Sequence, residues 1–120
     1  MDRRQGSDAQ VFDEAQLREM AAGDRELMLE LIDLYAGHAE IEWPMLVGAV
    51  REEEWEQVRL LAHAIKGSSM TIGAEMAARA LQHVEESARA GGDDSLREAV
   101  EAARGAYVRA CRQMQSLKAA

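Results

Sequence analysis

Apolar residues recur at steps of three and four along most of the chain, the spacing of helices that bury one face. Phe12 opens the first such stretch, a short helix that Asp13 is placed to cap and that ends near Ala22 and Gly23. Asp24 caps a longer helix whose apolar face reads Leu27, Leu31, Leu34, Ile41 and Met45. The gap in that row falls at His38, which takes a core-facing or boundary position. Pro44 lies inside the same pattern and is expected to kink or split the helix, because proline removes a backbone donor and crowds the preceding turn. After the charged stretch 51–54, a third helix carries Trp55, Val58, Ala62, Ile65, Ser69 and Ile72 on one stripe. Gly73 closes it, since glycine accepts left-handed geometry without strain. A fourth helix, from about residue 74 to about residue 90, buries Ala77, Leu81, Val84 and Ala88 and ends at the turn Gly91, Gly92, Asp93, Asp94. Ser95 opens the last helix, with a seam of Leu96, Val100, Ala103, Tyr107, Ala110, Met114 and Leu117.

This pattern predicts an all-α domain over residues 11–120: an antiparallel up-down four-helix bundle with a short extra N-terminal helix covering one end. Residues 1–10 have almost nothing to bury and read as a flexible tail. Composition agrees, with Ala, Leu, Glu, Arg and Met abundant and a single Pro in the 120 residues. The formal charge of −8 argues against nucleic acid and anionic membranes as partners. No apolar run approaches the roughly 20 residues that span a bilayer. The single cysteine, Cys111, has no internal partner for a disulfide, which suits a reducing cytoplasmic compartment. The three histidines lack the spacing of a metal site, so no bound metal or cofactor is expected.

The informative stretch is 62–74. With the stripe from Trp55 to Ile72 facing inward, His63 points away from the core, and Arg59, Lys66 and Gly67 become its neighbours at i−4, i+3 and i+4. An imidazole that is neutral near pH 7 is a nitrogen nucleophile. Lys66 and Arg59 are placed to neutralise a phosphoryl group in transit, and Gly67 removes a side chain where a partner must come close. Leu60, Ala64 and Met70 offer apolar docking surface around the same point. Between Glu56 and Glu75 there is no acidic residue, in a chain that is acidic overall. A solvent-exposed histidine alone is most often only a solvated side chain, so the weight lies on the combination.

The run of His63, Lys66, Gly67, Ser68, Ser69, Gly73 and Ala74, read as His-x-x-Lys-Gly-Ser-Ser-x-x-x-Gly-Ala, resembles the signature of histidine-containing phosphotransfer (HPt) domains. Leu81 and the pair Val84–Glu85 stand where that family shows an apolar residue and a Leu-Glu pair, and the resemblance extends from about Leu27 to Arg89. Ile65 and Val84 replace the family's usual leucines, both apolar exchanges of similar size. The resemblance implies a phosphoryl carrier rather than an enzyme. It would take phosphate onto His63 from the aspartate of one response-regulator receiver domain and pass it to another, downstream of a sensor (hybrid) histidine kinase. It also implies a monomer without a nucleotide site, with Mg²⁺ on the partner receiver and Nε2 as the attacking nitrogen. Lys66, Gly67 and Ser69 carry over as motif residues. In related chemotaxis-kinase domains a glutamate at the position of Glu85 orients the histidine, a role open to Glu85 beside that of a plain surface charge.

Two rivals stay open on sequence. One is a phosphotransfer fragment of a larger chemotaxis-type or hybrid kinase, although Gly73 is followed by Ala74 rather than the aromatic residue usual in chemotaxis kinases. The other is a non-catalytic adaptor that uses the apolar patch only to bind a receiver domain.

Overall fold

The computed structural model describes residues 9–119 and is helical throughout its regular structure, with no strand among the described residues. The expected tail, residues 1–8 at least, lies outside the described residues. Gln10, assigned to that tail from sequence, is instead bound: its N–H donates to Glu75 Oε1 (3.0 Å) and its carbonyl accepts from Met76 N (2.9 Å).

Five helices follow one another: α1 (Glu14–Met20), α2 (Arg25–Arg51), α3 (Trp55–Ile72), α4 (Glu75–Arg89) and α5 (Asp94–Ala119). Asp13 and Asp24 cap α1 and α2 by accepting the N–H of Gln16 and Leu27, each at 3.2 Å. Gly73 ends α3 at φ +94°, and a Cβ there would stand 2.8 Å from the Asp13 carbonyl oxygen. Both the left-handed turn and the approach of α1 therefore require glycine at this point. Each long helix packs on the next, and α5 returns to α2; α1 rests against α2 and α3. One half of the core gathers Trp43, Leu46, Val58, Ile65, Leu81 and Val100, and the other Phe12, Leu17, Met28, Ile32, Tyr35 and Met114.

The stripes expected of α3, α4 and α5 face inward, except that Trp55 and Tyr107 are only partly buried. On α2 the expectation is corrected. Leu27, Leu34, Ile41 and Met45 are exposed and Leu31 is only partly covered, while the buried row is Met28, Ile32, Tyr35, Ala39, Trp43 and Leu46. His38 is likewise exposed, not core-facing. Both rows have helical spacing, so periodicity does not choose between them. The buried row carries Tyr35 and Trp43, whose large rings gain most from leaving water and lie tilted against Tyr107 with ring centroids 5.6 Å apart in each pair. Glu30 sits three residues after Leu27 and four before Leu34, so burying the other row would drag a carboxylate out of water. Pro44 does not split α2, which runs unbroken through it. Pro44 and Glu40, whose carbonyl loses its donor, both lie on the exposed side, so that group is not buried unpaired.

Candidate functional site

The outward face of α3 toward α4 carries the chemistry. Burial of Val58, Leu61, Ala62, Ile65 and Ser69 fixes the rotation of α3, which leaves His63 with its side chain 64% exposed. Its Nδ1 lies 3.2 Å from Oε2 of Glu85, a carboxylate on α4 that is itself buried. Lys66, one turn along α3 and mostly covered, places Nζ 2.8 Å from Glu85 Oε1 and donates to Gln82 Oε1 at 2.7 Å. Arg89, one turn along α4, donates to Glu85 Oε2 at 3.3 Å. Burial alone pushes the Glu85 carboxyl up, but the Lys66 ammonium and the His63 ring outweigh it and hold this acid below the ordinary carboxylate range. The result is a fixed anion beneath an exposed imidazole, with cations on both sides.

Gly67 follows His63 by one turn, and a Cβ there would meet nothing within 4 Å. The space above it is open for an approaching partner. Leu60 and Met70 flank the same face, 48% and 58% exposed, with Ala64 exposed between them. An apolar and cationic surface with one reachable nitrogen nucleophile is suited to receiving a phosphoryl group from a protein donor.

A family model, that of the Hpt domain, matches residues 15–120. The chain belongs to the Hpt domain family. As an Hpt protein it performs histidine phosphotransfer in a phosphorelay, as a carrier rather than a classical enzyme, among the receiver domains and kinases of two-component relays. Comparison with curated protein sequences yields no match. Among solved structures the chain is similar to the crystal structure of histidine-containing phosphotransfer protein B (HptB) from Pseudomonas aeruginosa PAO1, with TM-score 0.84 and 22% identity, over 93% of this chain and 98% of that one. At that identity the likeness shows the shared fold.

Within this Hpt domain the sequence-derived residues divide. His63, Lys66, Gly67 and Glu85 come together, with Leu60, Ala64 and Met70 around them. Ser69 does not join them: it is buried and bonded to the Tyr35 hydroxyl at 2.7 Å, so this motif serine fastens α3 to α2. Arg59 is turned to Glu56, which it grips through two hydrogen bonds of 3.0 and 2.6 Å. Glu85, open to reading as a surface charge, is buried. Gln82 and Arg89 were missed. The signal was present, since Gln82, Glu85 and Arg89 repeat at three and four along α4 and form a polar row beside the apolar one. No described helix is long and apolar enough to cross a membrane, and no group of three or more His, Cys, Asp or Glu among the described residues is placed to hold a metal ion.

Proposed function

We propose that His63 is the phosphoryl carrier of this Hpt domain, receiving phosphate from the aspartate of one receiver domain and delivering it to the aspartate of another. One observation carries the proposal: Nδ1 faces the buried Glu85 carboxylate at 3.2 Å while the rest of the ring is exposed. When Nδ1 keeps its proton and donates it to Glu85, the lone pair resides on Nε2, which points to solvent. In the transfer, Nε2 attacks phosphorus in line, the bond from phosphorus to the aspartate oxygen breaks, and the carboxylate leaves with the electron pair. The phosphorylated ring retains the Nδ1 proton and its positive charge, which Glu85 offsets from below. Reversal onto a second aspartate restores the neutral imidazole.

Lys66 holds Glu85 and Gln82 and adds positive charge beside the incoming phosphoryl group. Glu85 acts as a positioning residue through the ring. Mg²⁺ and the remaining catalytic groups belong to the receiver, and the chain supplies no nucleotide site of its own. The receiver docks over Gly67 onto Leu60, Ala64 and Met70, with Arg59 at the margin. The cyclic packing of α2 to α5 with short connections supports an antiparallel up-down four-helix bundle. Such a bundle closes on itself and functions as a monomer, in the reducing cytoplasm that a lone Cys111 suits.

The test is transfer of labelled phosphate from a phosphorylated receiver domain to the native chain and to His63→Gln. A label on the native protein that is acid-labile, alkali-stable and absent from the variant is the expected result. Labelling of His63→Gln at the native level would overturn the assignment. Receiver binding with no label on either chain would turn the reading to an adaptor.

A further inference from the structure

On the opposite side of the helical ring from His63, where α2 meets α5, lies a groove of about 610 Å³. That volume falls within the range of small-molecule sites. Val47, Val50 and Val100 line it, together with Gly105, at which a Cβ would meet nothing within 4 Å. Glycine lowers the stability of a helix interior, and here no backbone turn or close approach requires it. Its effect is to keep the groove open. Three arginines stand at the rim, Arg51 from α2 and Arg97 and Arg104 from α5. Among the described residues, none of the three guanidinium groups has a hydrogen-bond or ion-pair partner, in a chain of 22 acidic residues. Glu101 is the one acid in the lining, so three positive charges against one negative leave two net positive charges at the mouth of a molecule whose formal charge is −8.

We propose that this groove binds a small amphipathic organic anion, with its hydrocarbon or aromatic body on the valines and its carboxylate or phosphate against the arginines. Unpaired guanidinium groups favour an anionic head, which they hold by charge-assisted and bidentate hydrogen bonds. The valine floor favours an apolar body. Eight residues line the groove, from 47–51 of α2 and 97–105 of α5, too few for a protein partner, whose interface takes roughly 20–30 residues from each side. The site is remote from His63, so occupancy leaves the phosphotransfer face free.

The experiment titrates the full chain with decanoate, inorganic phosphate and decyltrimethylammonium, by calorimetry and by amide chemical shifts. Decanoate is expected to saturate at one per chain and to move the amides of Val47, Val100 and Gly105, whereas the other two probes show no saturable binding. The double variant Arg97→Gln/Arg104→Gln weakens decanoate binding by about tenfold or more, the scale of a lost charge-assisted contact. Gly105→Leu fills the groove and abolishes binding while keeping native phosphoryl uptake, with a melting temperature at or above the native one because leucine is the better helix former. The proposal is overturned if decanoate does not saturate by millimolar concentration. Equal binding of decanoate to both variants, or binding of inorganic phosphate as tight as that of decanoate, overturns it too.

Discussion

His63 on α3 and His83 on α4 are both exposed, 64% and 69% by side chain, and each has a glutamate beside Nδ1. They differ in what lies beneath. Glu85 is buried, 3.2 Å from His63 and held by Lys66 and Arg89; Glu86 is 56% exposed and 4.0 Å from His83. Exposure makes an imidazole reachable, and that much is common to the two. In the proposed mechanism a carboxylate fixed from below makes one nitrogen the donor and leaves the other as the nucleophile, and of these two histidines His63 alone has such a carboxylate.

The widest separation between the two comes from removing each ring. His63→Gln is expected to abolish phosphoryl uptake and His83→Gln to leave it at the native rate, measured with the same receiver donor. Next come the two carboxylates. Glu85→Gln keeps the shape but loses the charge that favours the Nδ1 proton, and slows uptake by about tenfold, the scale of a lost charge-assisted hydrogen bond. Glu86→Gln leaves the rate unchanged. Initial rates at saturating receiver separate this effect from weaker docking.

A smaller effect is read in stability. Lys66→Ala deprives buried Glu85 of its ammonium partner and costs about 1–2 kcal/mol in urea denaturation, since Arg89 and His63 remain. Smallest is the pH dependence. The folded-state acidity of Glu85 lies below its ordinary value of 4.5, so its contribution is present above the unfolded-state value and is lost as pH falls through the lower folded-state one. The native chain is therefore expected to lose stability more steeply below about pH 4.5 than Glu85→Gln does, and equal slopes would sink the buried-anion account.

How far the sequence could be read depended on whether a helix offers one apolar row or two. α5 has a single row, Leu96 to Leu117, with charges elsewhere, and its buried side was legible. α2 has two rows at the same spacing, and only the packing of Tyr35 and Trp43 against Tyr107 decides which faces in. At the site, His63, Lys66 and Gly67 were legible because they share one face of one helix. Glu85, Gln82 and Arg89 sit on the neighbouring helix, and their relation to His63 depends on the rotation of α4 against α3, which local spacing does not encode. Ser69 shows the reverse case: a residue inside the motif whose hydroxyl serves the core.

The short α1 helix has a reach beyond its length. Gln16 donates to the carbonyls of Met70 and Thr71 at 2.6 and 3.0 Å, and Asp13 N donates to Gly73 O at 2.8 Å. The last turn of the helix that bears His63 is thus finished by donors from more than 50 positions earlier in the chain. In native-state hydrogen exchange the end of α3 should open together with α1, as one cooperative unit. Trimming the chain through Gln16 would loosen the helix that bears His63 from its far end without touching a residue of the candidate site.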